Sequence, residues 1–520
     1  MAELSGSLAF LSAILSILLA PLYYLCKPVK SRGLPLPPGP RPDFIIGNAR
    51  HLAAKSPWLQ YTAWKEKYGN IMHLEALGTH VIVLNSYKAM HDLLNSKPIY
   101  ADRHTSMMAD TLMGWGRFTT AAHYGETWKK HRKMMRPAFH KDAILAHSAT
   151  LEKIARACLL ELLHSPGGLR EHLRYTGRPI VMFTYGLKVD GPKDPLIAVP
   201  EKAFATVIKV AMPGKVPLAE YLPFLRHIPS WFPGAGFKGN AKIWRKELDD
   251  MVEVPFSHVK ANMATGVAIP SFTSKCLEES MHDGNDIMWN TGTMYMAGAD
   301  TTHAILTSFI LAMVLHPDVQ KKAQAEIDGV IAAKGKGLPN FEDRGNLPYI
   351  ECLLKDLQRW LPVLPLSVPR RLTEDDCYGG YFLPAGSIIF SNHWALSRDE
   401  AHYKDPERFW PERFENPETA ELDPYKYAFG WGRRACAGMN FADAMLYLAV
   451  VSILAMFDIS KPLDEHGNET EPEVVLGTGI VSAGLTYGIP GRTEGFKCTI
   501  RPRSDDAAKL IGAASEKMSW

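Results

Sequence analysis

Residues 429–438, Phe-Gly-Trp-Gly-Arg-Arg-Ala-Cys-Ala-Gly, form a glycine-rich run that stops where an apolar helical pattern, Met439 to Met456, begins. Cys436 therefore sits in a loop at a helix N-terminus. Unpaired backbone N–H groups and the positive end of the helix dipole favour a thiolate there. Gly432 and Gly438 permit a tight backbone and the close approach of a flat ligand. Arg434, two residues before the cysteine, offers a fork of donors to a carboxylate. Phe429 can pack against the sulfur and limit water. A buried cysteine ahead of a helix is the plain alternative, and the better reading of a lone cysteine. It does not account for Phe429, Gly432, Arg434, Cys436 and Gly438 in one short register. Together they meet the needs of a thiolate bound to a macrocyclic iron, which it loads with electron density that favours O–O cleavage.

Working outward, residues 71–84 alternate apolar and polar around Gly78-Thr79, the pattern of a β-hairpin. Helical patterns cover Ala143–Leu163, Ala241–Lys260, Asp286–Val314 and Asp318–Ala333. Strand-like pieces return at Tyr381–Phe390 and Phe496–Arg501. No repeat, low-complexity stretch or second composition regime follows residue 43. One large domain over residues 43–503, mainly α with a small β region (α+β), is the simplest account. The polar stretch Ser504 to Trp520 is expected to fray as a C-terminal tail.

The 520 residues are 46% hydrophobic and 22% charged, an ordinary globular composition. Lys and Arg number 58 against 55 Asp and Glu, a formal net charge of +3. So even a balance argues against a nucleic-acid protein. The seven cysteines (Cys26, Cys158, Cys276, Cys352, Cys377, Cys436 and Cys498) are scattered, with no CxxC and no zinc spacing, as in a reducing compartment. Residues 8–26, LAFLSAILSILLAPLYYLC, are almost wholly apolar. As a helix the run spans roughly 28 Å, close to the hydrocarbon thickness of a bilayer. A signal peptide would want basic residues first and a shorter apolar core. Here Glu3 precedes the run and Lys27, Lys30 and Arg32 follow it. The expectation is a transmembrane helix within residues 1–26 and a cytosolic main domain. Residues 27–42, rich in proline, form a stiff hinge that holds the domain at a set angle to the membrane.

The Cys436 loop resembles the heme-binding signature of the cytochrome P-450 family, with every position matched. The resemblance implies that family's fold, a heme b cofactor, and Cys436 as the axial ligand of its iron. Three further segments agree. Ala297-Gly298-Ala299-Asp300-Thr301-Thr302, in the middle of a long apolar helix, has the form of the family's oxygen-activation motif. Glycine and threonine would loosen the helix there and let a local opening admit O2 and water. The resemblance gives Thr301 a hydrogen bond to oxygen at the iron and Asp300 a proton relay. A polar patch with back-bonded threonines is the alternative. Phe409-Trp410-Pro411-Glu412-Arg413-Phe414 resembles the segment whose Arg pairs with a Glu-x-x-Arg helix. This chain offers Asp356-Leu357-Gln358-Arg359, an acid one methylene shorter, and a half-paired buried network would cost several kcal/mol. Trp128 and Arg132, i and i+4, resemble the family's pair that reaches the heme propionates, with Arg434 and Arg370 as further partners. Lys129, Lys130, Lys133 and Arg136 add a basic surface for an electron donor, or merely a solvated face.

No glycine-rich loop for NADPH is present, so electrons are expected from a separate membrane-bound NADPH-cytochrome reductase. The expected reaction is RH + O2 + NADPH + H+ giving ROH + H2O + NADP+. Substrate walls are expected from Met107, Met108, Leu112, Met113, Trp115 and Phe118, with Met294, Ala297, Val363, Leu364, Leu366 and Ile480 opposite; as a set they suit an apolar or aromatic small molecule. Residues 107–120, 222–236 and 365–501 resemble fungal, especially basidiomycete, members. By that analogy a terpenoid of secondary metabolism is the first substrate and an indole or other aromatic metabolite the second. The rivals are a heme-thiolate isomerase or peroxygenase, and a non-catalytic membrane heme protein. The expected location is the endoplasmic reticulum membrane, spanned once. The run at residues 483–495 is longer than the family's usual turn and reads as an insertion near the substrate.

Overall fold

Strand β1 (Ile71–Ala76) returns antiparallel as β2 (Thr79–Leu84), the hairpin the alternation predicts. The turn is Leu77-Gly78, one residue earlier than expected, with φ of 48° and 78°. Two successive positive φ values make a type I′ turn, whose twist suits paired strands. The structure, a computed structural model, describes residues 33–472 and 496–516 apart from 45, 53–55, 165–176, 190–193, 197, 201, 204–205, 207–226, 281 and 336. The expected membrane segment Leu8–Cys26, Ile480 and the run 483–495 lie outside the described residues.

β2 pairs in parallel with β7 (Ile388–Ser391); β7 is antiparallel to β4 (Arg370–Arg371), and β4 to β3 (Asp102–Arg103). The sheet order is β1-β2-β7-β4-β3. Its register sets Arg103 directly opposite Arg370. Like charges so placed are unfavourable unless something answers them. Two small two-stranded sheets, β5 (Asp376–Tyr378) with β6 (Tyr381–Leu383) and β8 (Phe457–Ser460) with β9 (Thr499–Pro502), complete the β structure among the described residues. The strand-like run at Tyr381–Phe390 is thus two strands in different sheets, parted by a turn at Gly386.

Helices make up the rest: α1 (Pro57–Tyr68), α2 (Glu126–Ala138), α3 (Ser148–His164), α4 (Arg178–Tyr185), α5 (Gly236–Ala264), α6 (Phe272–Glu279), α7 (Gly284–Leu315), α8 (Pro317–Lys334), α9 (Pro348–Trp360), α10 (His393–Ser397), α11 (Met439–Met456) and α12 (Asp505–Glu516). α7 and α11 are apolar almost all round, the mark of a core helix. Both are long and apolar enough to cross a bilayer, but 72% of the apolar 18-residue stretch of each is buried inside the protein. They form the centre of the largest hydrophobic cluster, with α3 and α9 against them.

Two expectations need correction. The helical pattern at Ala143–Leu163 is two helices, Lys141–Ala146 and α3, broken at His147. The His147 N–H still bonds Ile144 O and its carbonyl takes the Leu151 N–H, so the break hardly disturbs the apolar spacing. The C-terminal stretch does not fray over its described part. Ser504 Oγ accepts the Ala507 N–H, Asp505 and Asp506 occupy the first turn, and Ala507 and Ile511 are buried beside α3. An i, i+4 apolar pair and a capped N-terminus suffice to dock this otherwise polar helix.

The proline-rich segment is fastened to the domain. Pro38 O accepts from His73 N, Pro35 O from Phe382 N, and Asn48 Nδ2 donates to Pro40 O. A Cβ on Gly39 would lie 1.9 Å from His73 O, so only glycine lets the strap lie this close to β1. Gly39→Ala is therefore expected to lower unfolding stability by about 1–3 kcal/mol. Gly239→Ala, on open α5 surface with nothing within 4 Å of the added carbon, should instead stabilise by about 0.5–1 kcal/mol. Urea unfolding midpoints of the two variants test the pair.

Candidate active site

The Cys436 loop is held by its own backbone. Cys436 N donates to Phe429 O at 2.8 Å, and Gly430 and Gly432 have φ of 81° and 49°. A Cβ on Gly432 would stand 2.6 Å from Leu94 O, so this glycine is required for contact as well as for φ. Gly438 caps α11, and its N–H lowers the Cys436 pKa, as does the charge of Arg132. Burial is the larger influence and raises it. The side chain is nevertheless accessible.

A second accessible patch interrupts the buried run of α7. Residues 297–301 are partly exposed, between Met296 and Thr302, which are buried. Asp300 and Thr301 lie on this patch. The helix is continuous through it, so the expected local opening is absent. Thr301 Oγ1 donates to Ala297 O at 2.7 Å and Thr302 Oγ1 to Gly298 O at 2.8 Å. Gly298 serves packing: a Cβ there would meet Ile180 of α4 at 2.6 Å.

Four guanidinium groups neighbour one another here, and Arg132 among them acts on Cys436. Arg103 lies opposite Arg370 in the sheet, and Arg132 and Arg434 flank Trp128, with Cζ 5.9 and 4.7 Å from its ring. Arg103, Arg370 and Arg434 are buried. Burial, and then their mutual repulsion, pushes Arg103 well down and Arg370 to about 9. Burial likewise brings Arg434 to about 10, against the pull of Asp102. Arg434 donates to Ala101 O, Thr119 O and Ala122 O; Arg370 donates to Leu94 O, Tyr100 O and Trp431 O. Arg103 donates to Thr120 O, Val368 O and Pro369 O. Carbonyls satisfy hydrogen bonds but do not neutralise charge. Asp102 is also engaged by Tyr124 N and His123. A positive cluster with an accessible sulfur beside it suits a flat iron-bearing macrocycle with two carboxylates, so the residues present fit heme. Arg103 escaped the sequence analysis, because Asp-Arg between two short runs reads like any surface pair.

The doubt over Asp356 is removed. One carboxylate oxygen accepts from Arg359 Nε at 2.6 Å and lies 3.2 Å from Arg413 Nε; the other accepts the Trp410 N–H. Glu421, also missed in sequence, adds a second carboxylate, 2.6 Å from Arg413 Nη1. Two buried cations therefore meet two anions. Of the expected substrate walls, Met107, Leu112, Ala297, Val363 and Leu364 are partly accessible. Met108, Met113, Trp115, Phe118, Met294 and Leu366 are buried in core clusters instead. Phe118 is enclosed by Trp115 and Trp289. On α2, Lys129 pairs with Glu126 and Lys130 with Asp286, while Lys133 and Arg136 are exposed.

A mostly helical fold with a small sheet thus carries an accessible cysteine in a glycine-rich loop and a group of buried arginines. Residues 37–483 match the sequence model described as Cytochrome P450. The chain is similar to the cytochrome P450 monooxygenase claR of Ampulloclitocybe clavipes, 38% identical over 92% of this chain and 88% of that one. A cytochrome P450 monooxygenase of Armillaria gallica is 39% identical over 92% and 94%. Tryptamine 4-monooxygenase of Psilocybe cyanescens is 33% identical over 96% and 99%. The chain belongs to the cytochrome P450 family. It is a monooxygenase that uses heme iron and takes electrons from NADPH through a redox partner.

Asp356→Asn is expected to cost about 3–5 kcal/mol, because it leaves two buried arginines with one carboxylate. Glu421→Gln, at the more accessible end, should cost about 1.5–3 kcal/mol. Denaturant midpoints of the two variants decide; equal losses would contradict this ranking.

Proposed function

We propose that Cys436 is the axial ligand of the heme iron and that the enzyme hydroxylates an apolar or aromatic small molecule. The accessible sulfur next to Arg132, itself one of a group of four neighbouring guanidinium groups, carries this reading. Bound there, heme supplies the activation of O2. Trp128, Arg132, Arg370 and Arg434, with Arg103 added, hold the propionates; Phe429 and Gly438 shape the sulfur's side of the loop. Asp300 is the proton donor within reach of the cleft patch. Thr301 Oγ1, whose hydrogen goes to Ala297 O, keeps its lone pairs for an incoming donor. Met107, Leu112, Ala297, Val363 and Leu364 exclude water and orient the substrate. Asp356, Arg359 and Arg413 brace the segment ahead of the loop. Residues 8–26 anchor the chain in the endoplasmic reticulum membrane with the domain in the cytosol, and the docked strap fixes its angle. Phe44, close behind that strap, is 94% exposed and suits a membrane surface.

A terpenoid of fungal secondary metabolism is the first substrate class, since the accessible wall is apolar. The second is an indole amine, favoured by the likeness over nearly the whole chain to a protein named for tryptamine. An amine needs a carboxylate, and Asp300 is the one on the accessible patch. Dithionite reduction under carbon monoxide should give the red-shifted Soret band of a thiolate ligand; Cys436→Ser should abolish it. With a reductase and NADPH, Thr301→Ala should lower product per O2 consumed by roughly 10²-fold. Unchanged coupling would refute the role given to Thr301. Difference spectra with a neutral terpenoid and an indole amine, each against Asp300→Asn, separate the two substrates: only amine binding should weaken.

A further inference from the structure

Trp431, inside the cysteine loop, is not accounted for by anything above. It lies between Gly430 and Gly432, the two loop residues with positive φ, where the backbone has least conformational constraint of its own. Its indole Nε1 donates to His393 Nε2 at 3.0 Å, and its carbonyl accepts from Arg370 Nη2 at 2.6 Å. Trp431 and His393 are 1% and 2% exposed. His393 also hydrogen-bonds the backbone of Leu364. An imidazole that accepts at Nε2 carries its hydrogen on Nδ1, which leaves Nδ1 to donate to the Leu364 carbonyl. Burial, with Arg370 beside it, pushes His393 down to about 3, which keeps the ring neutral and able to accept. One imidazole thus links the cysteine loop to the backbone of Leu364, a residue of the accessible apolar wall.

We infer that His393 is a positioning residue that, through Trp431, fixes the Cys436 sulfur relative to the wall formed by Val363 and Leu364. The inference rests on the reading of Cys436 as the iron ligand. A purely structural role would cost stability without changing how the sulfur meets iron. The test uses the full heme-loaded chain and four variants: His393→Leu, His393→Gln, Trp431→Phe and the Leu/Phe double variant. Each is read by heme content, unfolding midpoint, and the share of ferrous carbon monoxide complex absorbing as thiolate or as neutral thiol.

His393→Leu and Trp431→Phe should each raise the neutral-thiol share several-fold at near-normal heme content. The double variant should be no worse than either single one, as for two members of one contact. His393→Gln, whose amide can accept from the indole and donate to Leu364 O, should restore most of the thiolate share. Wild-type shares in both single variants, additive effects in the double, or no rescue by glutamine would overturn the inference. Trp431→Phe keeps an aromatic ring in place and decides the matter if His393→Leu does not fold. Absence of the thiolate band from the wild-type protein would instead sink the Cys436 assignment itself.

Discussion

The charge of Arg103, Arg132, Arg370 and Arg434 is the constraint around which the cleft is organised. A guanidinium taken out of water loses several kcal/mol of solvation, which carbonyl hydrogen bonds return only in part. The pKa values of Arg103, Arg370 and Arg434 are driven down by burial. Among the described residues Asp102, and Asp110 towards Arg103, stand against this group, and Asp102 has other partners. On the proposed reading, binding of a dicarboxylate macrocycle would remove the imbalance, so that cofactor and fold would stabilise each other. The same elements reach the loop: Arg370 donates to the carbonyl of Trp431, and Arg132 opposes the burial that raises the Cys436 thiol.

Charge is handled differently at Arg359 and Arg413. These cations are as deeply buried but are closed off by Asp356 and Glu421 and by the carbonyls of Ser397, Lys404, Asp405, Pro406 and Arg408. Nothing is left to bind a ligand, and the result is a brace. Two arginine clusters in one protein thus serve opposite ends. The one matched by its own anions is structural; the one with fewer anions is, on the proposed reading, the receptor. The shorter Asp356 is tolerated because both its oxygens are used and Glu421 shares the load on Arg413.

Much of this was legible in the chain. The hairpin, the long apolar helices and the Cys436 register follow from local pattern, because backbone hydrogen bonding and side-chain periodicity are short-range. The helix at Asp505–Glu516 was not, since two buried residues in a polar stretch carry little periodic signal. Nor was the break at His147, which leaves the apolar spacing nearly intact. Phe118 and Trp115 read as pocket residues, yet Trp289 and Val252 enclose them in core; an apolar side chain looks the same in sequence whether it faces a ligand or a helix.

By itself, the sequence determined the family, the accessible cysteine of the glycine-rich loop and the helix that carries Asp300 and Thr301, since each rests on residues within one turn or loop. Only the tertiary structure decided who answers whose charge. Arg103 meets Arg370 through a sheet register, Glu421 reaches Arg413 across a loop, and His393 accepts from Trp431 at a separation of 38 residues. Electrostatic and hydrogen-bond partners are fixed by distance in space, and that distance has no counterpart in the order of residues along the chain.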